Sequence, residues 1–468
     1  MAIAALSIDE IIERSPISTL QRRLIILSIS LALLDGFDSL IIGFLVPALS
    51  ADWGVSAASL TPVVVSGTVG TIAGAMLLAP IADRLGRRPV ILGGAAVFAV
   101  FTLLSAVAPN IALLTLFRLL AGVGLGAVPS TLIAYVSEYS PRRIRSTVVA
   151  ATGSGLLAGG FVGGFAAAFM IPRFGWQSVL LVGGLLPLLP LLLGLRWMPE
   201  TPQMSAIRGR MDAAARVLSR IDTSFSATDA SRIIQKKTST RGVPVRSLLA
   251  DNRAATTILV WVLYLSQYVC GYFIFAWLPS LLSDAGAGRS TALAASSMCT
   301  LGGLVGGLLL GTQMPKVSSQ FRILALNYVV AACAVVATAM AIGASDIGMF
   351  AALFVVGFGT FGTILCVNAI IANLYPAEIR STGLGWAQGF GRIGSVVGPS
   401  IGGLLLATQF STQTIFQLAL VPVLVCALAL VGLGVIARRD AQSRAGREAR
   451  LEGDQHAEMS MTESDTPR

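Results

Sequence analysis

The chain has 468 residues, 55% of them hydrophobic and only 12% charged, and its mean hydropathy of +0.80 excludes a soluble globular protein and describes a polytopic membrane protein. The formal charge of +10 does not point to nucleic acid, because the basic residues fall in short connections between apolar runs. The five cysteines (Cys270, Cys299, Cys333, Cys366, Cys426) lie inside apolar runs without metal-ligand spacing, and the single histidine, His456, lies in a polar tail. Neither a disulfide framework, a metal or other cofactor site, nor a histidine proton relay is indicated.

Residues 1–23 are polar and mixed in charge, and the first apolar run is too long and lacks the small-residue cleavage site of a secretory signal, so the N-terminus is expected to be retained. Apolar runs follow at about 24–49, 60–82, 89–108, 111–136, 147–170, 176–197, 254–282, 291–314, 321–343, 346–372, 382–407 and 413–437, each long enough to span a bilayer as a helix. Twelve spans place both termini on one side. Basic residues occupy every second connection: Arg84, Arg87 and Arg88 after the second run, Arg142, Arg143 and Arg145 after the fourth, Lys316 and Arg322 after the eighth, Arg380 after the tenth. Lys and Arg in short loops are held in the cytoplasm, so both termini and the long basic connection are expected there, in a cell (inner) membrane.

The expected organisation is an all-α membrane protein of twelve transmembrane helices in two pseudo-symmetric six-helix bundles. These are 1–197 and 254–437, joined by a cytoplasmic linker at 198–253 with helix-compatible patches such as 211–221. The polar segment 438–468 reads as a disordered tail. The halves register on one another: Ile144-Arg145-Ser146-Thr147 recurs as Ile379-Arg380-Ser381-Thr382, an offset of 379 − 144 = 235 residues. At that offset Gly122, Gly124, Gly159 and Gly163 fall on Gly357, Gly359, Gly394 and Gly398, as a duplicated unit requires.

What breaks the symmetry is the intramembrane charge. Asp35-Gly36-Phe37-Asp38, midway along the first run, falls on Cys270-Gly271-Tyr272-Phe273, while Arg118 falls on Leu353 and Arg392 on Leu157. A central Asp costs about 2.5–3.5 kcal/mol on insertion scales, and two of them at i and i+3 share one helix face. They read as a proton-coupling pair that titrates as one unit. Fold-holding residues should repeat with the fold, whereas a site between the halves can be asymmetric, so the uniqueness of Asp35, Asp38, Arg118 and Arg392 favours function over structural ion pairing. Arg392 stands about 18 Å along its helix from Arg380, and its planar guanidinium suits bidentate capture of a carboxylate. Arg118 could do the same or neutralise an acid of the first helix. Gln388, one turn from Arg392, could add a hydrogen bond. Tyr264, Tyr268 and Tyr272 form a stripe at i, i+4 and i+8 that serves either packing or a cavity wall suited to an aromatic ligand.

The turn Ala82-Asp83-Arg84-Leu85-Gly86-Arg87-Arg88-Pro89, with Arg118-x-x-x-Gly122-x-Gly124 and Pro199-Glu200-Thr201-Pro202, resembles the signatures of the major facilitator superfamily. Asp35-Gly36-Phe37-Asp38, Ser137-Glu138-Tyr139-Ser140-Pro141, Tyr375-Pro376, Arg380-Ser381-Thr382-Gly383 and Gly391-Arg392-Ile393-Gly394 are similar to the aromatic acid:proton symporter family within it. The resemblance implies two bundles rocking about a central site, uptake of an aromatic carboxylate such as a benzoate or hydroxybenzoate with a proton, and roles for Asp35, Asp38, Asp83, Arg118, Arg380 and Arg392. No obligate protein partner is implied. The eighth-to-ninth connection, Gly311-Thr312-Gln313-Met314-Pro315-Lys316, departs from the pattern of the second-to-third turn, which argues against a symmetric pair of latches.

Asp83, Arg84, Gly86, Arg87, Arg88, Glu138, Arg145 and Arg380 lie at helix ends on the cytoplasmic side and read as a gate latch rather than as ligand contacts. The alternatives to import are proton-coupled export of a hydrophobic or cationic compound, which a deep Arg392 disfavours, and a membrane receptor that binds without moving its ligand. An enzyme has least support, since no nucleophile motif or metal cluster stands in the spans.

Overall fold

The computed structural model describes residues 6–222, 225, 233–234, 246–250, 253–313, 319–341, 345–372, 374–375, 379–408 and 410–464. Among these, twelve helices are long and apolar enough to cross a membrane: Thr19–Trp53, Ala57–Leu78, Arg87–Ala106, Ile111–Tyr139, Arg142–Phe174, Trp176–Trp197, Ala254–Asp284, Arg289–Gln313, Gln320–Ala341, Asp346–Val367, Thr382–Ala407 and Thr412–Arg439. They are numbered here as the first to twelfth spans. The protein is all-α, as expected; the sole sheet among the described residues is a two-residue parallel pairing of Leu6–Ser7 with Ile233–Ile234.

Glycine sets the packing within each half. In the fifth span Gly155 and Gly159 lie against the backbone of Ala32, Leu33 and Phe37 of the first. In the eleventh, Gly394 and Gly398 lie against Leu265, Val269 and Phe273 of the seventh. Gly159 and Gly394 are 235 residues apart, so the contact of the fifth span with the first recurs as that of the eleventh with the seventh, with small residues letting helix backbones approach where apolar burial alone gives no drive.

Four spans that read as continuous runs are interrupted, one of them the sixth, which turns at Leu186 and Pro187 between Trp176–Leu185 and Leu188–Trp197. The fourth turns at Gly126 between Ile111–Leu125 and Val128–Tyr139, where Pro129 lacks the N–H that would continue the ladder. The fifth breaks at Ser154. The tenth contains a π-turn at Phe358–Gly362. The last helix runs on to Ser464, whereas a structureless tail was expected over 438–468. That segment is rich in Ala, Arg, Glu and Gln, all good helix formers, and helix propensity is the term that the charge-based reading left out.

Close approaches between the two halves lie away from the termini. A Cβ on Gly43 would collide with the Phe275 carbonyl, one on Gly403 with the Thr61 side chain, and one on Gly160 would stand 3.3 Å from Thr300 Cγ2. On the side of the termini, the helix Ile8–Arg14 buries Ile8, Ile11 and Ile12 against Ala214, Ala215, Leu218 and Ile221 of the linker. Arg14 pairs with Asp222 at 2.9 Å. The helix Met211–Leu218 occupies most of the patch expected to be helical.

Candidate functional site

The first span carries no Gly or Pro between its capped start at Ser18 and Gly36, so one helix presents residues 35–38 in regular order. Phe37 fills the space beside Gly163 and Gly183, and Gly36 lies so close to the Leu156 backbone that no Cβ fits. Gly36 and Phe37 thus serve packing, which turns Asp35 and Asp38 to the other face. Both acids line a cavity of about 270 Å³ together with Arg118, Tyr268, Tyr272, Arg392 and Ser395. It continues toward the termini past Ile72, Ile133 and Thr152. With the halves closed on one another at the opposite end, the centre is open on the side of the termini.

Arg118 is held by Asp38. Its Nη1 donates to Oδ1 at 2.8 Å and its Nη2 to Oδ2 at 2.5 Å, with 3% and 2% of the two side chains exposed. Thr102 Oγ1 also donates to Asp38 Oδ1, at 3.4 Å. Of the two roles open to Arg118, the structure shows the one that neutralises an acid of the first helix. Among the described residues Asp35 has only a long hydrogen bond, 3.5 Å, from Ser39 Oγ. The Arg392 guanidinium reaches the same cavity from the eleventh span and makes no hydrogen bond or ion pair among the described residues. The four charges are thus one closed pair and two groups available to something else.

The tyrosine stripe divides. Tyr268 and Tyr272 stack with ring centroids 5.9 Å apart and an 18° interplanar angle, and both line the cavity. Tyr264 is buried instead against Gly391 of the eleventh span. Residues four apart drift about 40° around a helix of 3.6 residues per turn, so the two ends of the stripe face about 80° apart. Gln388 is exposed and is not among the residues that line the cavity. Sequence reasoning missed Ser39, Thr71, Thr102, Thr152 and Ser395, since single hydroxyls inside apolar runs are common and carry no distinctive pattern.

The family model of the Major Facilitator Superfamily matches residues 27–377 and 334–459. A 4-hydroxybenzoate transporter, PcaK of Pseudomonas putida, is 32% identical over 443 residues, covering 93% of this chain and 98% of the relative. A gallate transporter of the same organism is 34% identical over 437 residues, 92% and 96% of the two chains. The chain belongs to the major facilitator superfamily. Its relatives are transporters, and it is a transporter rather than an enzyme. Among solved structures, the inward open conformation of the xylose transporter XylE from E. coli superposes with a TM-score of 0.68 at 17% identity, over 88% of this chain and 95% of that one. A D-xylose-proton symporter gives 0.67 at 19% identity, over 87% and 97%. At such identities the likeness concerns the fold alone.

The superfamily turn between the second and third spans is organised by an acid that sequence reasoning quoted only within its motif. Glu200 Oε1 accepts from the backbone N–H of Arg87 at 3.0 Å and of Thr201 at 3.1 Å, and Oε2 from that of Arg88 at 3.3 Å. The carboxylate thereby caps the N-terminus of the third span, where backbone donors and the helix dipole favour an anion. Gly86 begins that helix at φ 103°, and a Cβ there would strike the Glu200 carboxylate. Arg87 pairs with Glu138 of the fourth span, and Arg88 Nη2 donates to the Leu195 carbonyl at 2.9 Å. Arg84 is exposed. Arg145 Nε donates to the Ser140 carbonyl at 3.2 Å, and its Nη2 lies 3.9 Å from Asp9 of the N-terminal helix. These contacts all fall within the N-terminal half and the linker; the side chains of Asp83 and Arg380 lie outside the described residues.

Proposed function

We propose that this superfamily member imports an aromatic monocarboxylate together with a proton by alternating access, with both termini in the cytoplasm. The observation that carries the reading is an Arg392 guanidinium without hydrogen bond or ion pair among the described residues, in the same cavity as Asp35 and beside the stacked rings of Tyr268 and Tyr272. A carboxylate completes the bidentate bonding that Arg392 lacks, and a flat ring extends the tyrosine stack. Asp35, free of the closed Arg118–Asp38 pair, is the proton carrier, and Asp38 is its neutralised neighbour. Relatives named for 4-hydroxybenzoate and gallate support the substrate class. The basic connections on the side of the termini support a cytoplasmic orientation. The turn around Gly86, with Arg87, Arg88, Glu138 and Arg145, acts as the gate, together with Asp83, Arg84 and Arg380.

Counterflow in proteoliposomes tests the proposal, with labelled 4-hydroxybenzoate, benzoate and gallate set against xylose and a hydrophobic cation. Saturable exchange of at least one aromatic acid and of neither control is expected, with net accumulation abolished by an uncoupler. Exchange confined to the sugar or the cation, or accumulation that survives the uncoupler, would overturn it.

A further inference from the structure

A second cavity, of about 470 Å³, lies outside the central site, where the second-to-third turn meets the end of the sixth span and the linker. Arg88, Arg208 and Arg210 line it, and Glu200 is the one acid among its lining residues. Both Glu200 oxygens are already engaged by the N–H groups of the third span and of Thr201, so the open charge of the pocket is positive. Arg208 is partly fixed, its Nη2 donating to the Arg84 carbonyl. Arg210 is exposed, and its side chain makes no hydrogen bond or ion pair among the described residues.

The walls on the other side are apolar and face outward. Leu85 and Leu195 line the pocket, and Leu195 continues an exposed stripe along the sixth span through Leu192 and Leu189. That combination sits at the level of the membrane–water boundary, marked by Trp197 at the end of the sixth span with Arg23 stacked 5.0 Å from its ring; Trp concentrates at such boundaries. Basic pockets at helix ends on the membrane boundary bind anionic lipid headgroups.

We infer that this pocket binds the phosphate headgroup of an anionic glycerophospholipid of the leaflet on the side of the termini, with an acyl chain along Leu85, Leu195 and Leu192. A soluble anion would satisfy the arginines but leave the leucine stripe unused. The bound lipid ties the turn carrying Arg84, Gly86, Arg87 and Arg88 to the helix Pro202–Ile207, and so steadies one conformation of that turn.

Native mass spectrometry of the full chain, titrated with phosphatidylglycerol or phosphatidylcholine, tests this. Phosphatidylglycerol should be retained in preference, Arg208→Gln/Arg210→Gln should weaken it by roughly tenfold, and glycerol 3-phosphate should not displace it. Arg210→Glu alone, at an exposed position, should shift retention in the same direction, which covers the case of a double variant that does not fold. Equal retention of the two lipids, unchanged phosphatidylglycerol affinity in Arg210→Glu, or displacement by glycerol 3-phosphate would each sink the assignment, the last by showing a site for free anions.

Discussion

Arg118 and Asp38 meet through two parallel hydrogen bonds of 2.8 and 2.5 Å in the interior of the N-terminal bundle, almost fully removed from solvent. A pair so buried is costly to break from one side, because the remaining charge is stranded; removal of one partner typically costs about 3–5 kcal/mol. Arg118→Leu and Asp38→Leu should therefore each lower the thermal stability of the purified protein markedly. The double variant should recover much of the loss. Two single variants that melt like the native protein would show that the pair contributes little to folding.

Arg392 should behave in the opposite way. With no hydrogen bond or ion pair among the described residues, Arg392 leaves no closed pair broken when it is lost, and Asp35 can take up a proton, so Arg392→Ala should fold and melt nearly as the native protein. Its affinity for an aromatic acid should nonetheless fall by about tenfold or more. Arg392→Lys should be almost as defective, since an ammonium keeps the charge and loses the planar fork. Equilibrium binding of labelled acid to purified protein reads both, and unchanged affinity in the Ala variant would remove Arg392 from the site.

Asp35→Asn separates coupling from binding. Exchange of labelled for unlabelled acid needs no net proton movement and should persist, whereas accumulation driven by a proton gradient should vanish. Asp38→Asn should instead resemble an Arg118 variant, with lost stability before any selective loss of coupling. Accumulation by Asp35→Asn with the native pH dependence would place the proton path elsewhere.

Two glycines offer a structural contrast. Gly86→Ala must place a Cβ at φ 103° and against Glu200, a strain of about 1–3 kcal/mol, so it should loosen the cap of the third span and lower the melting temperature. Gly43→Val meets the Phe275 backbone across the two halves, a clash relieved by parting them. It should slow transport while leaving the melting temperature of a stabilised, outward-facing form unharmed. A normal transport rate in Gly43→Val would show that this contact does not set the closed state.

Much of this arrangement was legible in the chain because membrane insertion makes each buried charge conspicuous: Asp35, Asp38, Arg118 and Arg392 stand out against apolar neighbours, and all four line one cavity. Which acid Arg118 would take was not legible, since Asp35 and Asp38 share a helical face and differ only in how the fourth span approaches them. Tyr264 and Gln388 were grouped with the site by a spacing of four; the accumulated helical drift turns Tyr264 away from it, and Gln388 is exposed outside the cavity lining. Glu200 lay within a recognised motif, but its use as a cap depends on Gly86 and Arg87, more than a hundred residues away in sequence. The π-turn at Phe358–Gly362 has no counterpart in hydropathy, which does not register a change in hydrogen-bond ladder.

If import runs with a proton on Asp35, as proposed, the closed Arg118–Asp38 pair also fixes the electrical character of the cycle. Since those two charges cancel, the empty centre carries only Asp35 and Arg392, which sum to zero. With a proton on Asp35 and a monocarboxylate on Arg392 the sum is again zero. Both the loaded and the returning protein then carry a neutral centre through the membrane field, where each uncompensated charge would add about 2.3 kcal/mol per 100 mV. One-for-one turnover should respond to a pH difference and ignore an imposed potassium diffusion potential, and no current should accompany it.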